Sequence, residues 1–450
     1  MKVPDQLTTE VYGSLVLSES TIIERVADGK LVLTGEENYL PRAEVTVAGC
    51  NYHAGQLSPS LEGALKLPVG AAAANLPDLF AEVKSALTGL AGVARDEATL
   101  LAAAVLSTWV ADALPIPLHL AVVGNGRLSR LKSVLASLVR FPLVLTDVRA
   151  TELGTLPAGI EPSLLVSDPS PHTLRQLALT REPGSFQLKS GNLLPVPHCP
   201  CFIFATAPVA GVALTVHVTQ ANTCPLPKFQ LEQLETSLRA QLLGYRLARW
   251  SAVSRAQFDS PALTSEVRAA AQCLGRALEG EPDAQQSVIL SLRGEQERRR
   301  TGLEQSDAGL VLEALWTAGH DEQSDRSVKA IAQIANALVA GEGRRFNARA
   351  IGSILREQLG FCTQRYSDGY RVLLSRTAGE RLHRMAVEFG LTAPLFPREG
   401  CDLCTETTID TAFNGPSTCN VHEVHDVHSA PSSELVDAVE SRLPAEEDRL

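Results

Sequence analysis

The segment Leu118 to Leu145, LHLAVVGNGRLSRLKSVLASLVRFPLVL, constrains the fold more than any other stretch of the chain. An apolar run, a glycine turn, an amphipathic stretch and a second apolar run read as strand, turn, helix and strand. Two parallel strands joined by a helix belong in a sheet covered on both faces. The same local shape can bind phosphate, because the backbone N–H groups at a helix start point toward an anion. A working phosphate loop also needs a lysine and a Mg²⁺-binding hydroxyl in a GxxxxGKS/T register. The register starting at Gly124 puts Ser129, Arg130 and Leu131 at the glycine, lysine and hydroxyl positions. The register starting at Gly126 keeps Lys132 and Ser133 but places Leu131 where the second glycine should turn the chain. Neither is competent, so ATP and Mg²⁺ are not expected as cofactors. Gly124, Gly126, Ser129, Arg130, Lys132 and Ser133 are the candidate contacts of this degenerate loop.

A chain of 450 residues, 45% of them hydrophobic, can bury a large core and is expected to form about two to three domains. No run of about 18 uncharged apolar residues occurs, and the opening MKVPDQLTTEVYG has no apolar signal segment. A cytoplasmic protein without membrane contact is the expectation. Nine cysteines spread over this length do not form a secreted disulfide framework, so reduced thiols are expected. The net charge of −11 argues against a nucleic-acid mould over the whole surface.

Residues 1–75 read as short strands and turns, with alternation over Glu44 to Val47, and offer no chemistry of their own. Helical patterns follow in NLPDLFAEVKSALTGL and DEATLLAAAVLSTWVADAL, the second with Asp96 as N-cap and with Pro115 and Pro117 as its end. After the glycine turn come a helix over about Leu128 to Val139, a strand Pro142 to Thr146 and a strand Ser163 to Val166. A hairpin around Ser190 to Asn192 and a buried strand Cys201 to Thr206 complete residues 76–260, an α/β layer with a largely parallel sheet. The strand SLLVSD ends in Ser167 and Asp168, where a phosphate-transferring ATPase would carry paired carboxylates for Mg²⁺ and water. Asp168 is a candidate for that position, and the plainer reading makes it a helix or turn cap. Thr206 is either a polar sensor or an ordinary strand end.

The order DEATLLAAAVLSTWVADALPIPLHLAVVG, glycine turn, LASLVRFPLVLTDV and PSLLVSD resembles the ATPase portion of phage- and plasmid-type primase/helicase proteins. The resemblance spans roughly residues 40 to 260 and implies a P-loop NTPase fold acting on DNA, in company with replication or mobile-element proteins. The family's catalytic residues do not carry over at Arg130, Leu131 or Ser167, and Val212 to Gln220 holds no arginine for a finger or sensor.

Residues 261–305 read as a helical linker in which Glu295 to Arg300 is a charged helix or linker rather than a DNA contact. Between Ser306 and Leu391 helices are expected over about Ala308 to Thr317, Val328 to Val339 and Asn347 to Leu359. Two strands, Phe361 to Arg365 and Tyr370 to Ser375, flank the turn Ser367-Asp368-Gly369. Three helices and a wing resemble a winged helix-turn-helix domain. Asn347 caps the third helix, Ala348, Ile351, Ile354, Leu355 and Leu359 face its core, and Arg349, Ser353 and Arg356 stay outside. Eleven Lys/Arg against six Asp/Glu between Ser324 and Gly390 make this module basic inside an acidic chain. Arg345, Arg349, Ser353 and Arg356, with Arg365 and Arg371 on the wing, are the candidate DNA contacts. The competing reading is a protein-interaction domain.

From Thr392 the chain turns acidic, with twelve Asp/Glu against three arginines and a short helical pattern near Leu435 to Val439. Cys401, Cys404, Cys419 and His422 have types and spacings suited to tetrahedral zinc, although His422 sits in the repeat VHEVHDVH. A flexible tail is the alternative. The expected fold class is therefore α/β: a P-loop NTPase-like parallel-sheet domain, a helical linker, a winged helix and an acidic tail. The expected function is a helicase-like protein that binds DNA without ATPase activity. An active atypical ATPase using Lys132 and Ser133, and a transcription regulator, are the alternatives.

Overall fold

The computed structural model describes residues 8–401 except 36–38, 125–127, 182–184, 190–191, 207–208, 210–211, 213, 220, 223, 262, 305, 321–325, 341–344, 368, 390 and 392–400. Gly126, Asp368, Cys404, Cys419, His422 and the helical pattern near Leu435 therefore lie outside the described residues.

The chain opens with two small sheets. Strands β1 (Thr8–Val11), β5 (Glu44–Val47) and β6 (Cys50–Ala54) form one, in the order β1-β6-β5. Strands β2 (Ser14–Ser18), β3 (Thr21–Val26) and β4 (Lys30–Leu33) form an antiparallel meander. β3, TIIERV, is buried on both faces, so it does not show the alternation of a half-exposed strand. Ile22, Glu24 and Val26 share one face, and Ile22 and Val26 join the main core. Ile23 points the other way into a small core with Val11, Leu31, Val45 and Tyr52.

After the short helix α1 (Pro59–Leu65), helices α2 (Leu76–Ala86) and α3 (Arg95–Trp109) build the centre of the molecule. α3 is buried nearly all round: its apolar run Leu100 to Leu106 has no polar face, and Thr99, Ser107 and Thr108 donate to carbonyls of the preceding turn. Its start differs from expectation. Ala94 occupies the N-cap without a side-chain bond, and Asp96 lies inside the first turn, where its charge suits the positive end of the helix. Its end differs too, coming at Trp109, several residues before Pro115. Arg246 donates to the Trp109 carbonyl, and the Trp109 indole donates to the Leu138 carbonyl. Those bonds fix the terminus without help from proline.

The main sheet takes β7 (His119–Val123), β8 (Pro142–Leu145), β9 (Ser163–Ser167), β12 (Cys201–Ala205) and β13 (Leu214–His217) in the order β13-β7-β12-β9-β8, every neighbouring pair parallel. Its connections carry α4 (Ser129–Leu138), α5 (Ala150–Leu153), α6 (Pro171–Leu179) and the hairpin β10 (Phe186–Lys189) and β11 (Asn192–Pro195). One face of the sheet, with Leu120, Val122, Leu165, Phe202, Phe204 and Val216, packs into the core shared with α3 and α4. The other face, with Leu164, Val166, Cys201 and Ile203, packs on Leu153 and Leu177 from α5 and α6. Covering on both sides explains the near-continuous apolar strands.

Helix α7 (Lys228–Arg255) crosses the α3 and α4 side, and Gly244 lets the backbone at Ala72 lie directly on it. A side chain there would overlap the Ala72 carbonyl, 1.8 Å from the position of its first carbon. The stretch 261–305 departs from the expected linker. It forms α8 (Ser265–Ala277) and α9 (Pro282–Glu304), and Val267, Leu274, Val288 and Leu292 enter the same core as α3.

Beyond these, α10 (Asp307–His320), α11 (Val328–Leu338) and α12 (Ala348–Ser353) are followed by a wide helical turn, Ile354–Gln358. The hairpin β14 (Thr363–Tyr366) and β15 (Gly369–Val372) and helix α13 (Arg376–Glu388) close a separate core around Leu315, Trp316, Ile331, Ile351, Leu355 and Leu382. Asn347 caps α12 by accepting from the Ala350 amide. Ala348 corrects the expected core set: it is exposed, while Ile351, Ile354, Leu355 and Leu359 are buried. The third helix was expected to run regularly to Leu359, and its change of pitch after Ser353 accounts for part of that difference. No helix among the described residues is long and apolar enough to cross a membrane.

A buried ionic cluster ties the N-terminal strands to the main domain. Glu24, 1% exposed, accepts from Arg140 Nε at 3.0 Å and Nη2 at 2.8 Å, and from Arg246 Nε at 2.9 Å. Arg246 also donates to both Asp112 carboxylate oxygens at 2.6 and 2.8 Å, to the Trp109 carbonyl at 2.7 Å and to Ser14 Oγ at 2.7 Å. All five of its N–H donors thus meet an acceptor. Burial works to raise the Asp112 pKa, but the Arg246 charge and hydrogen bonds outweigh it and hold the carboxyl at about 2.

Arg246→Ala is expected to strand buried carboxylates and to cost about 3–5 kcal/mol, read as a lower denaturant midpoint. Arg246→Lys should recover little of this, because an ammonium cannot supply five donors in one plane. The Asp112 pKa is depressed in the folded state, so its stabilisation is present above about pH 4 and is lost as the pH falls through about 2. Acid unfolding of Asp112→Asn should show a shallower pH dependence in that window; an unchanged slope would place the acid sensitivity elsewhere.

Candidate functional site

Two places collect the candidate residues. The first is a crevice at the carboxyl ends of β7, β9 and β12, where open parallel sheets characteristically bind ligands. It has a volume of about 330 Å³ and is lined by Leu128, Ser129, Lys132, Ser167, Asp168, Phe204, Ala205 and Thr206. Gly124 leaves β7 with its amide bonded to the Ala205 carbonyl, and a side chain there would press on Leu128 and the Val218 carbonyl.

α4 begins at Ser129, so the register from Gly124 lays its last three positions on the first three helical residues. Ser129 lines the crevice, but Arg130 turns away and donates to the carbonyls of Leu90 and Cys224. Leu131 is fully buried in the core. Lys132 lies one turn further along and donates to Ser167 Oγ at 2.9 Å. Ser133 bonds back to the Ser129 carbonyl at 3.0 Å. The crevice therefore gathers Ser129, Lys132 and Asp168, and leaves Arg130 and Ser133 outside.

Asp168 is not the cap that its position suggested. Ser170 caps α6 by accepting from the Thr173 amide at 3.1 Å, because the helix starts at Pro171 and needs its acceptor immediately before it. Asp168 is exposed and has a left-handed backbone, φ 44°, with its amide bonded to the Phe204 carbonyl at 2.8 Å. Aspartate tolerates this conformation better than most residues.

Sequence reasoning missed the groups at the neighbouring strand end. Glu295, on the run read as a charged helix or linker, lies on α9 and is 3% exposed, with its carboxylate 3.0 Å from His217 Nδ1 and 2.7 Å from Arg298. Arg298 also stands 3.6 Å from buried Glu97, which accepts from Thr219. An arginine thus does reach the end of β13, delivered by α9 and flanked by two carboxylates. His119, at the opposite end of β7, is held neutral: burial drops its pKa to about 4, and its ring meets the Cys199 carbonyl.

The second place is a groove of about 470 Å³ between the start of α11, the outer face of α12 and the β14–β15 turn. Lys329, Arg349 and Arg356 line it together with Ser327, Ala348, Gly352 and Tyr370. Gly352 leaves space beside the Arg356 guanidinium, which donates to Thr363 Oγ1 at 3.2 Å and is held toward the hairpin. Arg349 is exposed. Arg345 and Arg365 are exposed but lie outside the groove lining, and Ser353 is half-buried. Arg371 is half-buried with its guanidinium over the Tyr366 ring, 5.4 Å from the centroid. Of the four expected metal ligands, Cys401 is described; it is half-buried and packs against the core of this module.

No family model and no curated protein matches the chain. Among solved structures, the apo A form of the NrS-1 C-terminal region is similar over 80% of this chain and 97% of its own, at 8% identity and a TM-score of 0.29. The Drosophila ORC bound to DNA is similar over 70% of this chain and 92% of its own, at 12% identity and a TM-score of 0.19. At these scores neither structure supplies a residue assignment to the crevice or the groove.

Proposed function

We propose that this chain is a DNA-associated, helicase-like protein without ATPase activity, and that it holds duplex DNA in the groove between α12 and the β14–β15 hairpin. The observation that carries this reading is the convergence of Lys329, Arg349 and Arg356 on one groove with Tyr370 at its rim. Converging cations neutralise phosphates and release counterions, and an exposed aromatic ring offers a surface for sugar or base. The helical order and hairpin support a winged-helix reading, with α12 facing the major groove and Arg365 and Arg371 on the wing.

The crevice supports the absence of hydrolysis. Arg130 is engaged by two backbone carbonyls, and Leu131 offers the core a side chain where a Mg²⁺ ligand is needed. The parallel sheet then serves as a scaffold. A second reading, an active atypical ATPase, is favoured by Lys132, which faces the same crevice as Asp168. Nucleotide binding with and without Mg²⁺ separates the two.

Binding of the full chain to duplex DNA should weaken steeply with salt. Arg349→Ala with Arg356→Ala should lower affinity by roughly ten- to a hundredfold near 0.1 M salt and flatten the log–log slope by about two. Undiminished binding by the double variant would move the interface away from α12. Incubation with ATP and Mg²⁺ should yield no phosphate above the uncatalysed background. Turnover that vanishes in Lys132→Ala would instead establish the second reading.

A further inference from the structure

His320, at the last position of α10, His383 on α13 and Cys401 come together although they are separated by 63 and 18 residues. His320 Nε2 is 3.2 Å from His383 Nε2, which is 3.4 Å from Cys401 Sγ, and the three ligand atoms all lie within 4.8 Å of one another. Zinc bonds of about 2.0–2.1 Å to nitrogen and about 2.3 Å to sulfur give a tetrahedron with N–N edges of about 3.3 Å and N–S edges of about 3.5 Å. The observed spacings match two such edges.

The histidine tautomers agree with this geometry. His320 Nδ1 lies 2.9 Å from the Trp316 carbonyl, and His383 Nδ1 lies 2.8 Å from the Gly379 carbonyl. A carbonyl can only accept, so each Nδ1 carries the proton and each Nε2 turns a lone pair toward the other. Two lone pairs at 3.2 Å repel unless a cation lies between them. Metal-bound histidines characteristically make this Nδ1 bond to a backbone carbonyl, because it fixes the ring and makes Nε2 the ligand. The Trp316 ring stacks near both imidazoles, with centroids 4.1 and 4.6 Å away, and His383 is 5% exposed. The rings are thus held in place by packing as well as by hydrogen bonds.

We propose that His320, His383 and Cys401 supply three of the ligands of a zinc ion that fastens the chain at Cys401 to α10 and α13. Nitrogen and thiolate donors at these spacings select zinc over Mg²⁺ or Ca²⁺, which take oxygen. This set differs from the one suggested by local spacing, in which Cys401 pairs with residues downstream of it. Here the histidines come from the module's own helices, and Cys401 joins them from beyond α13. Binding releases the thiol proton, so uptake is weaker at low pH.

Zinc content of the full-length protein, purified reduced, measures the proposal directly. About one equivalent per chain is expected, falling below about a tenth in His320→Ala, His383→Ala and Cys401→Ser. Cys419→Ser combined with His422→Ala should leave the content unchanged. Cobalt in place of zinc should give a thiolate-to-metal charge-transfer band that Cys401→Ser abolishes. This variant loses only a half-buried thiol, so its reading stands even where the histidine variants fail to fold. Retention of a full equivalent by the His320→Ala/His383→Ala double variant, or loss of zinc in the Cys419/His422 variant, would assign the ion to the tail. Refusal of added zinc and cobalt by the wild-type protein would leave a proton as the cation between the rings and overturn the site.

Discussion

The guanidinium of Arg246 is the joint on which the first three hundred residues depend. It lies on α7, the longest helix, and its five donors reach Glu24 on β3, Asp112 after α3, the Trp109 carbonyl and Ser14 on β2. An apolar contact could slide, whereas five directional bonds around one plane cannot all survive a shift. The desolvation of so many charges makes the net stabilisation small, but the penalty for a wrong arrangement is large. Arg140 adds a second cation to Glu24, and its backbone amide donates to Thr108 Oγ1, so the loop between α4 and β8 is registered against the end of α3. The position of the crevice follows from that registration, since α4 forms one of its walls.

The crevice and the groove differ in what their cations already touch. Beside the crevice, Arg130 is engaged by two backbone carbonyls, and within it Lys132 donates to Ser167 Oγ. A phosphate arriving there competes with bonds already made. In the groove, Arg349 points outward, and Arg356 is steadied by a single threonine hydroxyl. A guanidinium oriented by one weak neutral partner keeps most of its donors for an anion. The two places thus differ in how far their cations are already engaged: Arg130 by two carbonyls, Lys132 and Arg356 by one hydroxyl each.

Much of the sheet was legible because its strands are short apolar runs punctuated by proline and glycine. HLAVV, SLLVS and CFIFA could hardly be anything but buried strands. The cap at Asn347 and the hairpin around Gly369 were legible for the same local reason. The ionic cluster was not, because Glu24 and Arg246 are 222 residues apart and each looks like an ordinary surface charge in its own segment. The burial of Glu295 was not legible either, since a charged helix gives no sign that one of its faces is covered. Asp168 looked like a cap because a serine two residues on does that work unseen. At the His320, His383 and Cys401 cluster, short-range spacing drew attention to Cys401 but not to the two histidines, whose proximity is made by the packing of α13 on α10.

Ser327 has a consequence for how the groove can respond to an occupant. Its hydroxyl caps α11, its backbone makes a single antiparallel bridge to Arg371 on β15, and its side chain lines the groove beside Lys329. The next amide on the strand, that of Val372, returns to the Arg326 carbonyl at 3.0 Å. Helix start, hairpin anchor and groove wall are therefore one residue. Displacing the hairpin would strain the start of α11 together with the wall that carries Lys329, so the groove's width and the position of that cation are tied to one anchor.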